Sequence, residues 1–256
     1  FRSLFDAGGI PAVMHELSPL LHHDPITVTG ATVGDNRARF RAARRRDVVA
    51  SLGEPRSPEG GLAILRGNLC PDGAVIKHVA ASPRLRRHRG PAVVFRGIDD
   101  LRARIDDPDL PVTADSVLVL QGAGPVGAPG MPEVGFMPIP AKLLREGVRD
   151  MVRISDARMS GTSYGTVVLH VAPESAIGGP LALVRDGDWI DLDVDARVLH
   201  LDVTDGELAA RRAAWAPPAP LFERGYRALF QRHVLQAPDG CDFDFLRLAP
   251  GRPVGS

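Results

Sequence analysis

Cysteine is scarce in this 256-residue chain, which contains only Cys70 and Cys241, far apart in the sequence. This scarcity argues against a disulfide scaffold and predicts a reducing compartment, the cytoplasm. Two cysteines also cannot by themselves hold an iron–sulfur cluster or a zinc ion that needs four thiolates. We predict that Cys70 fills buried space and that Cys241 is structural.

Long apolar runs and an excess of one charge are also missing. No run approaches the ~18 apolar residues of a membrane span, and no secretory signal pattern is present. Thirty-one basic residues balance thirty-one acidic ones, so no global field favours nucleic acid or an anionic membrane. Residues 37–46 include six arginines, which we interpret as a solvated helix face or an interdomain contact because no array of stacking aromatic residues accompanies them.

Short β-type runs rich in Val, Ile and Leu recur from about residue 60 and are bounded by Gly, Pro or Asp. The Arg-Asp-Gly-Asp sequence at 185–188 predicts a tight turn between two of them. Helices are predicted at 12–21, at 140–146, and from a capping box at Thr204 to Trp215. The predicted strands are 62–65, 74–76, 92–95, 116–120, 151–154, 166–171, 181–184 and 198–203.

Many short strands and few helices predict a mixed α/β fold dominated by β, with a β-barrel-like domain and flanking helices. We find no βαβ alternation and no Gly-x-Gly-x-x-Gly between a strand and a helix, so dinucleotide binding is not expected. The Arg-, Ala- and Pro-rich residues 37–58 predict a connection between residues 1–36 and a domain at 59–256. The chain opens on Phe1 without an initiator Met, and we expect it to be a piece of a longer polypeptide.

Three segments are dense in Gly, Pro and small polar residues, at 66–77, 122–133 and 155–165. Such loops let a backbone approach a ligand closely. Glu133 ends the second segment as its one carboxylate, which suits either an oxygen ligand for a hard cation or a turn cap. Ser160 and Thr162 flank Gly161 in the third, where hydroxyls serve either as backbone caps or as catalysts.

Taken together, these segments resemble the dihydroxy-acid and sugar-acid dehydratase family. Residues 67–75 read Gly-Asn-Leu-Cys-Pro-Asp-Gly-Ala-Val, 127–133 read Gly-Ala-Pro-Gly-Met-Pro-Glu, and 156–161 read Asp-Ala-Arg-Met-Ser-Gly. His-Val-Ala-Pro-Glu at 170–174 continues the match. The Met-Pro-Glu and Asp-Ala-Arg-Met-Ser motifs and the tail at 241–246 resemble the pentonate and hexonate dehydratases more than the enzyme of branched-chain amino-acid biosynthesis.

The resemblance implies a two-domain hydro-lyase of which this chain is the carboxy-terminal portion. Residues 1–36 would end an amino-terminal α/β domain, whose remainder would supply the cluster cysteines and most magnesium ligands. An iron–sulfur cluster, expected as [2Fe–2S] with [4Fe–4S] left open, and Mg²⁺ are the implied cofactors. The implied partners are a sugar acid, the absent amino-terminal domain and further copies in a homodimer or homotetramer.

For individual residues, the resemblance implies that Glu133 is a magnesium ligand. Ser160 would be the general base, an alkoxide that removes the C2 proton of a 2,3-dihydroxy acid, and Thr162 would hydrogen-bond the substrate. The cluster would take the C3 hydroxyl, and the product would be a 2-keto-3-deoxy acid. Two alternatives stay open: a dihydroxy-acid dehydratase of branched-chain biosynthesis, and a catalytically silent assembly module that lacks the cluster cysteines.

Overall fold

The structure is a computed structural model that describes residues 1–160 and 164–247. It divides into two compact units, residues 1–60 and the residues from 61 onward. The predicted limits at residues 36 and 58, and the assignment of the first segment to an α/β domain, stay predictions.

The first unit contains three short helices, α1 (Arg2–Asp6), α2 (Gly9–Glu16) and α3 (Val33–Arg37). A capping box starts α3, because Asp35 donates its backbone N–H to Thr32 Oγ1 and accepts the Thr32 N–H at its carboxylate. All sixty residues are described, and only Ala7, Ala12 and Ser18 are buried. This unit therefore has almost no hydrophobic core of its own.

The second unit is built around one eight-stranded sheet with the strand order β1-β2-β6-β5-β4-β3-β7-β8. Four helices accompany it in the described residues: α4 (Ile98–Arg104), α5 (Ala141–Arg145), α6 (Asp205–Ala214) and α7 (Tyr226–His233). The strands are β1 (Ala63–Leu65), β2 (Gly73–Ile76), β3 (Arg87–Arg96), β4 (Val117–Gln121), β5 (Arg153–Ser155), β6 (Val167–Ala172), β7 (Trp189–Asp193) and β8 (Val198–Asp202).

The two ends of the sheet meet just beyond β1, which makes the sheet a nearly closed barrel. Arg66 forms a parallel bridge with Val198, and its carbonyl accepts the Leu199 N–H at 2.9 Å. A Cβ on the next residue, Gly67, would lie 1.9 Å from the Leu199 carbonyl oxygen, so the close approach requires glycine. Asn68 extends the seam, exchanging hydrogen bonds of 2.7 and 2.8 Å with the Leu201 backbone. The predicted barrel-like architecture is thereby confirmed.

The expectation that βαβ units are absent was wrong. The pairs β3–β4, β4–β5 and β5–β6 are all parallel, with α4 between β3 and β4 and α5 between β4 and β5. These helices have seven and five residues, too few to display a helical period in the sequence. The other pairs are antiparallel.

Residues 92–95 of β3 and the strands β4 and β6 are largely apolar on both faces because both faces are covered. In β3, Val94 packs into the barrel interior, whereas Val93 and Phe95 pack in a second cluster with residues of α4 and α5. In β4, Val119 packs into the barrel interior and Leu118 packs in the second cluster. Continuous Val- and Leu-rich runs are typical of parallel strands that helices cover.

Around residue 185, one predicted strand was wrong and one strand was missed. Residues 181–184 do not form a strand, because Pro180–Leu183 forms a 3₁₀ helix with a proline in its first turn. The predicted turn is present, with Gly187 at φ 85°, but it leads into β7, which the sequence did not predict. Aspartate is disfavoured in strands, and β7 alternates Asp with its buried residues Ile190 and Leu192.

The remaining predicted elements are largely confirmed. Strand β5 starts two residues later than predicted, and α5 lies within 140–146. Thr204 caps α6 by accepting the Glu207 N–H. In the described part of the chain, no helix has the length and apolar character needed to cross a lipid bilayer.

Candidate active site

Two of the glycine-rich segments leave the sheet side by side. Residues 122–133 follow β4 and residues 156–160 follow β5, and these strands are parallel neighbours. Parallel neighbours end at the same edge of a sheet, where open α/β sheets bind their ligands. Arg158 joins the two segments directly, because its Nε donates to the Met131 carbonyl at 2.7 Å and its Nη2 donates to Glu133 Oε2 at 3.4 Å.

The fold thus brings the segment of Glu133 to the segment of Ser160. The Glu133 side chain is 45% exposed, so its carboxylate is open to an ion or a ligand, and Ser160 is half-buried. Thr162, the third predicted site residue, lies outside the described residues. The roles assigned to these three residues stay predictions.

The residues present can serve a magnesium ion only in part. Glu133 offers one accessible carboxylate, the oxygen ligand that Mg²⁺ accepts. Among the described residues, no group of three or more His, Cys, Asp and Glu side chains could hold a metal ion. Glu133 can therefore be one ligand of a set that these residues do not complete.

The two cysteines do not make up an iron–sulfur site, because a cluster needs four ligands and no group of three or more His, Cys, Asp and Glu side chains that could hold a metal comes together among the described residues. Cys70 is fully buried, and burial raises the pKa of its thiol to about 12, whereas a cluster ligand must be a thiolate. The prediction that Cys70 is a buried filler is confirmed. Burial also raises the pKa of Cys241, which lies far along the chain at a position with φ 52°.

Two buried carboxylates support the segment after β4 from inside the unit. Asp156 accepts hydrogen bonds from the Ala123 N–H at 2.9 Å and from the Ser175 backbone and hydroxyl. Glu174 accepts the N–H groups of Val126 and Gly127 at 2.9 Å. These bonds occupy backbone donors of a loop that would otherwise bury them unpaired.

Burial raises the pKa of both carboxyl groups, against the lowering effect of these hydrogen bonds, and the charge of Asp156 raises that of Glu174 further. Gly124 has no room for a side chain here, since a Cβ would lie 2.6 Å from Glu174 Oε2. Asp156 and Glu174 are therefore loop supports within the motifs that the sequence singled out.

An ion pair between Asp150 and Arg153 fixes the far ends of both segments. The two side chains are 4% and 2% exposed and lie 3.1 Å apart. Arg153 Nη1 donates to the carbonyls of Phe136 and Met137, just beyond Glu133, and Nη2 donates to the Tyr164 carbonyl at 3.0 Å, near the end of the third segment. One guanidinium thus connects the exits of both loops.

Asp150 is held ionised by its neighbours. Burial acts to raise its pKa, but hydrogen bonds from Thr166 and Ser82 outweigh burial and lower the pKa below the usual range. The sequence did not reveal this pair. The only signal was Asp150 and Arg153 at a spacing of three on either side of an apolar Met-Val, where charged residues are seldom buried unless paired.

His170 fastens the segment after β5 from the neighbouring strand. Its Nε2 accepts the Met159 N–H at 2.9 Å, and its backbone N–H donates to the Ala157 carbonyl at 2.9 Å. Burial, followed by the charge of Arg158, lowers its pKa. The sequence predicts local hydrogen bonds for His22, His23 and His170, because no second metal ligand stands beside them at helical or hairpin spacing. His23 has such a bond, to Ser18, whereas the partners of His170 lie in another segment of the chain.

The first glycine-rich segment has a different position. Its Gly67 and Asn68 form the seam of the barrel with β8. Asp72, further along, donates its backbone N–H to the Ala172 carbonyl at the end of β6. This segment therefore closes the sheet, and no contact given by the described residues joins it to Glu133.

A barrel-like domain with two adjoining loops, one carrying an accessible carboxylate and the other a serine, defines a candidate enzyme domain. The sequence comparison gives its family: residues 47–241 match the dihydroxy-acid/6-phosphogluconate dehydratase C-terminal family. The chain belongs to this family.

Curated relatives include both branches of the family. The chain is 56% identical over 250 residues to a 6-deoxy-6-sulfo-D-gluconate dehydratase of Pseudomonas putida, covering 96% of this chain and 43% of the relative. It is 53% identical to an L-arabonate dehydratase of Azospirillum brasilense, and the match covers 100% of this chain and 45% of the relative. A dihydroxy-acid dehydratase of Acetivibrio thermocellus is 41% identical, and the match covers 93% of this chain and 43% of the relative. The chain therefore spans less than half the length of these relatives.

Proposed function

We propose that this chain is the carboxy-terminal portion of a sugar-acid dehydratase, which removes water from a 2,3-dihydroxy acid to give a 2-keto-3-deoxy acid. The observation that carries the proposal is the junction made by Arg158 between the segments of Glu133 and Ser160. It brings the segment of an accessible carboxylate to the segment of a hydroxyl at one edge of the sheet, an arrangement that suits proton abstraction beside a metal-held carboxylate.

In the proposed reaction, Ser160 removes the proton from C2 and the electron pair of that C–H bond forms the C2–C3 double bond. The C3–oxygen bond breaks, and the leaving hydroxide takes up the proton that Ser160 removed and departs as water, which returns Ser160 to its basic form. The resulting enol tautomerises to the 2-keto acid, so the reaction is balanced without an oxidant or reductant. Thr162 is proposed to hydrogen-bond the substrate beside Ser160.

Magnesium, with Glu133 as one ligand, would supply Lewis-acid chemistry that acidifies the C2 proton and helps to activate a hydroxyl as base. An iron–sulfur cluster is proposed for the part of the relatives that this chain does not cover, since Cys70 and Cys241 do not make up such a site. Assembly with that part, and into a homodimer or homotetramer, belongs to the same proposal.

The sugar-acid branch is favoured by the sequence comparison. Identity to the two sugar-acid dehydratases is 53–56%, against 41% to the dihydroxy-acid dehydratase. A sugar acid needs polar partners for its additional hydroxyls, whereas a branched alkyl group needs an apolar wall. The branched-chain activity is the second candidate.

The test is 2-keto acid formation by the complete gene product, reconstituted anaerobically with iron, sulfide and magnesium. The substrates are pentonates, hexonates and 2,3-dihydroxyisovalerate. Turnover of a sugar acid well above the branched acid supports the proposal, and the reverse preference moves the protein to the second candidate. No turnover with a loaded cluster favours a silent assembly module.

Two variants test the assigned residues within this experiment. Ser160→Ala should abolish turnover and leave the absorption of the cluster intact, with Ser57→Ala as an exposed serine control. Glu133→Gln should weaken the dependence on magnesium, whereas Glu146→Gln, an exposed glutamate beyond α5, should not. A Ser160→Ala protein that turns over normally, or an unchanged magnesium titration for Glu133→Gln, contradicts the corresponding role.

A further inference from the structure

His170 stands at an irregular position in β6. In the pairing of β2 with β6, Gly73 lies opposite Ala172 and Val75 lies opposite Leu169. Three steps along β6 therefore match two steps along β2, which is a β-bulge. His170 has φ 54°, a left-handed conformation that residues other than glycine seldom adopt. Bulges near active sites commonly turn a side chain away from the alternation of the strand.

The bulge turns the imidazole toward the segment that carries Ser160. Nε2 accepts the N–H of Met159, the residue before Ser160, and the His170 N–H donates to Ala157. These two bonds hold the backbone on both sides of Arg158. Ring and backbone of one residue thus fix three consecutive residues that lead directly to Ser160.

We propose that His170 is a positioning residue for Ser160, which it holds in place by accepting the Met159 N–H at the bulge of β6. The inference rests on the proposed function, in which Ser160 is the general base. A base must lie within hydrogen-bond reach of the proton that it removes. A displacement of about 1 Å can cost on the order of a hundredfold in rate.

Protonation of His170 breaks this arrangement, because an imidazolium has no acceptor nitrogen. Among the described residues, Arg158 in the segment it holds acts on the ring through its charge, and Asp72 lines the same 390 Å³ cavity as His170. The other residues lining that cavity are uncharged: Ile64, Gly73, Ala74, Val75, Ala237 and Pro238. Turnover should therefore fall in acid as His170 gains its proton.

The test compares His170→Met, which has no comparable acceptor, with His170→Gln, which offers an amide oxygen and does not titrate. His200→Gln, at an exposed position of β8, is the control. With the reconstituted complete protein, we expect His170→Met to lower kcat on the order of a hundredfold while KM changes less than about threefold. His170→Gln should keep most of kcat at neutral pH and lose the acid decline attributable to His170.

Hydrogen exchange of residues 157–160, followed by mass spectrometry, separates this inference from the proposed function. His170→Met should speed exchange there, and His170→Gln and His200→Gln should not. If His170→Met leaves the exchange rate of residues 157–160 unchanged, the inference is overturned. It is also overturned if His170→Met speeds this exchange but keeps a normal kcat, provided that Ser160→Ala inactivates the protein. If no form turns over any acid, the proposed function fails and exchange alone decides whether His170 holds the segment. If His170→Met does not fold, His170→Gln decides: the inference is overturned when kcat of His170→Gln falls in acid as it does in the unsubstituted protein.

Discussion

The two halves of the barrel use charged residues in opposite ways. The parallel half, residues 92–95 of β3 together with β4 to β6, is covered on both faces, and four charged side chains at or just beyond its strand ends are buried: Asp150, Arg153, Asp156 and Glu174. Residues 87–91 of β3 and the antiparallel strands β7 and β8 keep one face in solvent and place their charges there. Arg89, for example, pairs with Asp191 and Asp202 at 2.7 and 2.5 Å, and its side chain is 50% exposed.

This difference shows where function and stability depend on the same residues. Every buried charge of the parallel half contacts a backbone group of a candidate site segment or of its exit. The exposed pairs of β7 and β8 contact neither Glu133 nor the Ser160 segment in the hydrogen bonds given for the described residues. Substitutions in the parallel half should therefore affect folding and turnover together, and those on the outer face of β7 and β8 should affect neither strongly.

The largest effect is expected for Arg153→Met. It leaves the Asp150 carboxylate buried without its cation and removes the donors to Phe136, Met137 and Tyr164. Removing one partner of a buried ion pair typically costs about 3–5 kcal/mol. Denaturant unfolding measures the loss, and Arg145→Met, an exposed position of α5, is the matched control. A loss of unfolding free energy below about 1 kcal/mol lies within the range of exposed ion pairs. Such a result would contradict the contrast between buried charges in the parallel half and exposed charges in the antiparallel half.

How much of this could be predicted differs between the halves for a physical reason. The runs at 116–120 and 166–171 were recognised as strands because burial on both faces makes them apolar throughout. The motifs containing Glu133 and Ser160 were found because loops rich in Gly and Pro stand out locally. Strand β7 was missed because its exposed face carries aspartates, and 181–184 was misread because Pro180 bends an apolar run into a 3₁₀ helix.

The supports of the candidate site could not be predicted, because they depend on contacts between distant segments. Arg153 reaches Phe136 and Tyr164 in different loops, and Glu174 reaches Val126 across 48 positions. The bulge at His170 follows from the register of β6 against β2, which the residues of β6 alone do not specify. Local patterns identify the segments of a site, and the tertiary fold decides what holds them.

A smaller effect with a distinctive pH dependence is expected for Asp156→Asn. The amide keeps one acceptor but faces the Ala123 or Ser175 N–H with a donor, a mismatch that costs about 1–3 kcal/mol. Burial raises the pKa of Asp156 in the folded protein, so the folded state binds its proton more tightly than the unfolded chain does. Stability contributed by that proton is lost as pH rises from the unfolded value of about 4 through the folded pKa.

Asp156→Asn does not undergo this loss of stability. The difference in stability between the unsubstituted protein and the variant should therefore shrink as pH rises through that window. Melting temperatures of both proteins over a pH series measure the difference. Asp191→Asn, on the solvent side of β7, should show no such convergence. A deficit that stays constant with pH would show that Asp156 is already ionised in the folded protein throughout the window.

The smallest effect is expected on the antiparallel side, for Arg89 and its partners. Its guanidinium lies over the Trp189 ring, 5.3 Å from the centroid, but exposed ion pairs gain little because water screens both charges and the side chains lose freedom. Arg89→Ala and Asp202→Asn should each change the melting temperature by an amount close to the error of the measurement. Their coupling in a double-mutant cycle should vanish near about 1 M salt, where the Debye length is about 3 Å. A large coupling energy that persists in salt would mean that this surface is covered and not exposed to solvent. The contrast between the two halves would then fail on the antiparallel side, where the structure places the charges in solvent.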